Sequence, residues 1–349
     1  MTRDQPLSVD DRRAGIDAFR FKQLHPNLKF GTASDRYAGW IGQIYSERWN
    51  QEITRRSRQL QGTKYEERRV PIASVREYFD HFSVLEIDFT FYRTLRDAEG
   101  EPSNTFFTLE KYARHAPGDA SFLLKAPQKF SARKIRHSNS YEENDSFLAA
   151  DSYIDQFHQP ALELLGDRLT GIIFQQEYQR VGESPSPADN VSELDSFFAA
   201  VPSTPQIHVE LRSEHLLKPV YFDWLTDRGL GFVFSHWTWL PPIREQWNMC
   251  GKRFSAGDDT AVTRLLTPLN TKYAEAYKQA YPFDRSNPEL AETPEAQRMI
   301  DDTTALAYRA IDQHKTLMVI ANNRAYGNSP ALARDIGHRI LDFWGEQNP

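Results

Sequence analysis

A chain of 349 residues that is 40% hydrophobic and 26% charged has the composition of a folded globular protein, is long enough for one large core, and is not a disordered chain. Its formal charge of −6 excludes a global basic field for sequence-independent nucleic-acid binding, although 42 Lys and Arg residues leave room for a local basic surface. A single cysteine, Cys250, excludes an intramolecular disulfide and a thiolate-built zinc site, and with no apolar run near the roughly 18 residues of a membrane span it predicts a cytoplasmic protein without membrane partners.

In chain order, residues 1–28 read as an extension carrying Arg3, Asp4, Asp10, Asp11, Arg12 and Arg13, without a signal-peptide core and with a short helix over 11–22. Apolar runs with the look of buried parallel strands follow at 29–32, 84–88, 122–125, 171–175, 207–211, 231–234, 261–265 and 317–321. Helical segments separate most of them, at 71–82, 145–165, 191–200, 221–228 and 294–314. Eight such units predict a single-domain TIM-type (β/α)8 barrel over 29–349. Charged 51–69 and tyrosine- and proline-containing 270–294 read as loop or short-helix insertions. A Rossmann fold is disfavoured because Gly31-Thr32-Ala33-Ser34-Asp35 lacks the further glycines of a phosphate-cradling turn.

Several predicted strands end in polar side chains, which is where barrel enzymes keep their chemistry. Glu86 and Asp88 stand on the second strand, Lys125 on the third, Gln175 on the fourth, Glu210 and Arg212 on the fifth, and Arg264 on the seventh; Asn322 follows the eighth. Alternation puts Glu86, Asp88 and Thr90 on one face, and His208, Glu210 and Arg212 on another. Buried carboxylates need cations, so Glu86 and Glu210 are expected to meet Lys125, Arg212 or Arg264. One reading is a structural ion-pair network. The other is a polar pocket in which the three cations, with Lys125 also a Schiff-base candidate, hold a small phosphorylated or nucleotide-like anion and a glutamate acts as acid or base in its hydrolysis or isomerisation.

Around that pocket, Thr32 beside Gly31, Tyr92, His137, Gln175, Asn322 and Trp237 are candidate ligand contacts. Trp237 and Trp239, in a loop after the sixth strand, have rings suited to stacking on a sugar or nucleobase. Ser329-Pro330 reads as an N-cap and first helical residue, beside a loop of the kind that binds phosphate in many barrels. No short metal-ligand spacing and no cofactor fingerprint is evident, and no Gly-x-Ser-x-Gly elbow occurs. A retaining glycosidase built on Glu86 and Glu210, a metal-dependent phosphodiesterase and a non-catalytic nucleic-acid or partner-binding module are the competing readings.

The ordered pieces Phe30-Gly31-Thr32-Ala33-Ser34, Val84-Leu85-Glu86-Ile87-Asp88, Phe122-Leu123-Leu124-Lys125-Ala126-Pro127, Ile173-Phe174-Gln175, Val209-Glu210-Leu211-Arg212, Val262-Thr263-Arg264-Leu265 and Asn322-Asn323 resemble the YecE-like family, the group known as domain of unknown function 72. The resemblance implies a TIM-type barrel and no particular reaction. The chain departs from the family pattern in Asp88, where Asn is common, in Gln176-Glu177 instead of a proline-rich turn, and in Leu266-Thr267 where a His-Gly pair is usual.

Overall fold

In the computed structural model, which describes residues 7–137 and 140–347, eight parallel strands close into a barrel. They are β1 (Leu28–Ala33), β2 (Val84–Ile87), β3 (Ser121–Lys125), β4 (Leu169–Gln175), β5 (Ile207–Glu210), β6 (Gly231–His236), β7 (Thr260–Leu265) and β8 (Thr316–Ala321). Each pairs in parallel with its chain neighbour, and β1 closes the ring on β8. All eight expected strands are present, because each is an apolar run with both faces buried.

Side-chain alternation splits the core in two. Ala33, Val84, Leu123, Ile173, Val233, Val262, Met318 and Ile320 fill the inside of the barrel, and a much larger apolar cluster lies between strands and helices. Two residues beyond several inner positions, on the same face, stand Glu86, Lys125, Gln175, Ser235 and Arg264. The inner apolar plug therefore carries a polar layer at the carboxyl ends of the strands.

Outside the barrel the sequence-based expectations need correction in several places. Residues 51–69 form an antiparallel hairpin of Thr54–Leu60 and Thr63–Arg69, turning at Gln61-Gly62, where both φ values are positive. Its inner face packs Tyr65 against Tyr277 and Phe283 of the 270–294 insertion, which contains the helices Tyr273–Ala280 and Pro288–Ala291. The N-terminal helix is Val9–Asp17, started earlier than expected by a capping box between Ser8 and Asp11. Its Ile16 packs at Gly337 of the C-terminal helix Ser329–Gln347. The segment expected as one helix over 145–165 starts at Ala150 and contains a π-turn, Ile154–His158. Among the described residues no helix is long and apolar enough to cross a membrane.

Candidate functional site at the barrel mouth

Arg264, at the end of β7, is the hub of the polar layer. Its Nε and Nη2 donate to the two carboxylate oxygens of Glu86 at 2.7 and 2.6 Å, a bidentate fork, and its Nη1 donates to Glu210. Glu86 and Glu210 are fully buried, and the Arg264 side chain is 3% exposed. Glu210 also accepts from the Ser235 hydroxyl and lies 3.1 Å from Arg212 Nη2. That same nitrogen donates to Gln175 at 2.9 Å, and the Arg212 guanidinium lies over the Trp237 ring at 4.3 Å. The two glutamates thus share one guanidinium across the barrel, and Gln175 and Ser235 complete the set.

The fifth ionisable group, Lys125, has no such partner. Its Nζ sits 3.9 Å from the centroid of the Phe91 ring, and no carboxylate is within ion-pair distance among the described residues. The residue is 8% exposed. Burial, then the repulsion of Arg264 and Arg212 against the opposing pull of Glu86 and Glu210, brings its pKa down to about 7. Burial pushes the Glu210 carboxyl up, but Arg212, Arg264 and the Ser235 hydroxyl outweigh it and hold it at about 2. Arg212 is brought down to about 10 by burial against the pull of Glu210, and Nε of its guanidinium is buried without an acceptor. Arg264 loses to burial but gains more from Glu210 and Glu86, and its pKa is raised.

Other residues expected at the site lie around this cluster or apart from it. Thr32 is buried in a local network, its Oγ1 donating to the Ser34 carbonyl at 2.7 Å and its N–H to the Tyr78 hydroxyl at 2.9 Å. The strand carrying Glu86 stops at Ile87, so Asp88 and Thr90 do not continue its inner face as expected. Asp88 instead accepts from Ser34 at 2.8 Å, and Thr90 donates to the Lys125 carbonyl at 2.7 Å, tying the two strand ends together. Tyr92 is 67% exposed on the rim. His137 falls in an outlying hairpin of Lys134–His137 and Ser140–Glu143, away from any barrel strand; its side chain lies outside the described residues.

The loop after β8 satisfies its own donors. Asn322 caps the turn Asn323–Tyr326 by accepting from Arg324 N–H. Asn328, rather than Ser329, caps the last helix by accepting from Ala331 N–H at 2.8 Å, and the Ser329 N–H goes to Asn323 at 2.7 Å. The backbone donors expected to hold a phosphate there are already engaged by asparagines.

Sequence reasoning missed Ser235, Asp35 and Tyr178. Ser235 has the signal that finds it, since it stands two residues beyond the inner Val233 on the same strand face. Asp35 is buried, accepts from the Tyr112 hydroxyl at 2.7 Å, and is pushed up to about 6, chiefly by burial. Tyr178 lies 4.5 Å from Trp239, which meets Trp237 edge-on at 4.9 Å; Tyr178 and Trp239 form an exposed aromatic step above Arg212. Two clefts of about 580 and 420 Å³ lie in the outer helical layer, one at Asp195 and Trp224 and the other at Arg133 and Glu193, and neither is lined by a strand end. Among the described residues no three His, Cys, Asp or Glu side chains are grouped to hold a metal ion.

The closed ring of eight parallel strands and the ionic cluster across their carboxyl ends define a TIM-type barrel with its polar groups at the usual catalytic end. Residues 29–343 match the family described as protein of unknown function DUF72, and the chain belongs to that family, as the YecE-like motifs imply. Among solved structures it is similar to a DUF72 family protein from Thermotoga maritima, at 16% identity over 90% of this chain and 99% of that one, with a TM-score of 0.51. A DUF72 family protein from Enterococcus faecalis V583 is similar at 13% identity over 90% and 95% of the two chains, with a TM-score of 0.52. At these identities the likeness concerns the fold. Comparison with curated proteins finds no match.

Proposed function

We propose that the barrel mouth belongs to an enzyme acting on a small anionic molecule, phosphorylated or nucleotide-like, with Lys125 and Arg212 receiving the anion and Lys125 moving the proton. One observation carries this reading. The carboxylates of Glu86 and Glu210 are engaged by Arg264, Arg212 and Ser235, whereas Arg212 Nε is a buried donor without an acceptor and Lys125 Nζ, on a residue 8% exposed, has no hydrogen-bond or ion-pair partner among the described residues. Unsatisfied buried donors are costly, and an anion supplies what they lack.

In this reading the acid and base are not the glutamates. A carboxyl held near pKa 2 remains ionised at neutral pH and has no proton to donate, so Glu210 serves as scaffold together with Glu86. Lys125, poised at about 7, matches a general base or acid at working pH. A base of that strength serves either reaction class, taking a proton from water in a hydrolysis or from carbon in an isomerisation. The glycosidase reading loses support because one guanidinium lies between the two glutamates.

Anion binding should restore the proton to Lys125. Calorimetry with inorganic phosphate at pH 8, in buffers of different ionisation enthalpy, should therefore show uptake of close to one proton per bound anion, and Lys125→Met should abolish that uptake. Binding without uptake, or no binding by a folded protein, would overturn the reading.

A second reading, a nucleic-acid-binding module, has its own observation. The hairpin region 54–69 holds six basic and two acidic residues, a local charge of +4 on a chain of −6. Its register pairs Arg55 with Arg68 and Gln59 with Lys64 on the outward, exposed face. If those three cations contact phosphates, affinity for a short duplex should fall about 40-fold between 50 and 200 mM salt. Binding insensitive to Arg55→Ala with Arg68→Ala would remove this reading.

A further inference from the structure

We propose that Lys125 is a covalent catalytic residue, condensing with the carbonyl carbon of a small phosphorylated aldehyde or ketone to form an imine. This inference rests on the anion-site reading and narrows its substrate class. Three features of the position support it. Lys125 ends β3 at the carboxyl end of the barrel, where reacting groups gather. The residue is 8% exposed, and its amine has an aromatic ring on one side and no hydrogen-bond acceptor among the described residues to hold it as ammonium. The neighbouring carboxylates that would otherwise neutralise it are taken by Arg264 and Arg212.

Environment favours nucleophilicity as well as position. Phe91 attracts the ammonium form, but burial and the two guanidiniums oppose it and bring the pKa of the amine down to about 7. Arg212, whose charge acts on Lys125 and whose buried Nε lacks an acceptor, would take the phosphate of the same molecule. A carbonyl compound without an anionic group would lack that anchor.

In the step itself, the Nζ lone pair attacks the carbonyl carbon, a C–N bond forms, and the carbonyl π pair moves to oxygen. The oxygen receives one proton from the attacking nitrogen and then the second, and leaves as water when the C–O bond breaks. Amine and carbonyl become imine and water, with no change of oxidation state.

The test treats purified full-length protein with glycolaldehyde phosphate and borohydride at pH 7.5, followed by peptide mass mapping. The expected result is a reduced adduct on Lys125, slowed at least tenfold by inorganic phosphate and retained only weakly with unphosphorylated glycolaldehyde. Lys125→Arg keeps a cation and should still bind phosphate but form no adduct there. Lys125→Met removes the amine while keeping the stem, and its thermal transition is measured to check that the fold survives.

Labelling confined to other lysines, while phosphate still shifts the melting temperature, overturns the imine and leaves the anion site standing. Labelling of Lys125 that phosphate does not slow overturns the anion site instead. Absence of both the adduct and the phosphate effect in folded protein removes both.

Discussion

Replacing Arg264 by alanine should be among the most destabilising single changes in this protein, by about 3–5 kcal/mol, the range for breaking one partner out of a buried ion pair. Glu86 makes its side-chain hydrogen bonds with Arg264, so it loses both of them. Glu210 fares better, keeping Arg212 and Ser235. The loss should therefore concentrate on Glu86, and Arg264→Ala with Glu86→Gln should recover about 2 kcal/mol of it, a coupling typical of residues in one network. The assay is urea denaturation of the four proteins of the cycle. Its pH dependence adds a second check through Glu210, whose carboxyl Arg212 and Arg264 hold at about 2 against burial. That contribution is fully present above about 4.5 and is lost as the pH falls towards 2, so the gap between native protein and variant should be full at pH 7 and narrow below about 4.5. A loss below about 1 kcal/mol, or a gap that does not change with pH, would refute the reasoning.

Stability should also fall on mild acidification. Burial holds His236 and His208 at about 4, so between 6.5 and 4 the unfolded chain binds protons that the fold refuses, and each costs up to roughly 1.4 kcal/mol per pH unit. Asp35, raised to about 6, works in the opposite sense between 6 and 3.8, because the folded carboxyl keeps a proton the unfolded one has lost. Two histidines outweigh one aspartate, and a urea midpoint that stays level or rises between pH 6.5 and 5 would contradict this. Gly31→Ala should cost about 2–3 kcal/mol, since its Cβ would lie 2.1 Å from the Val84 carbonyl oxygen; an unchanged midpoint would show that β1 and β2 can part. Asn328→Ala should cost about 1–2 kcal/mol through loss of the cap on Ala331, and Ser329→Ala clearly less; equal losses would reassign the cap.

The barrel was legible because its strands announce themselves locally. Runs such as 171–175 and 317–321 are apolar on both faces, and only a strand covered on both sides by packing uses such a run. The hairpin at 54–69 was not, because its residues are mostly polar and only Tyr65 is buried, against a partner about 210 residues away. The cap on the last helix was off by one residue for a similar reason. Ser329 has the local signature, but Asn328 also donates to the Phe283 carbonyl from a distant insertion, and that contact fixes its side chain at the helix start.

The site shows the same division between what is local and what is not. Period-2 alternation places Glu86, Lys125, Glu210 and Arg264 at the strand ends, and the need of two buried carboxylates for cations follows from their charge alone. Which cation remains over depends on the pairing across the closed ring, which no single strand encodes. The chemistry of the three candidates nevertheless favours one answer. A guanidinium has a rigid fork that engages two carboxylates at once, as Arg264 does, and it stays charged when buried. An ammonium can escape the cost of burial by giving up its proton. The lysine is thus the cation that the cluster can leave without a carboxylate at least cost, and burial brings the pKa of the amine so released, at the end of its strand, down to about 7.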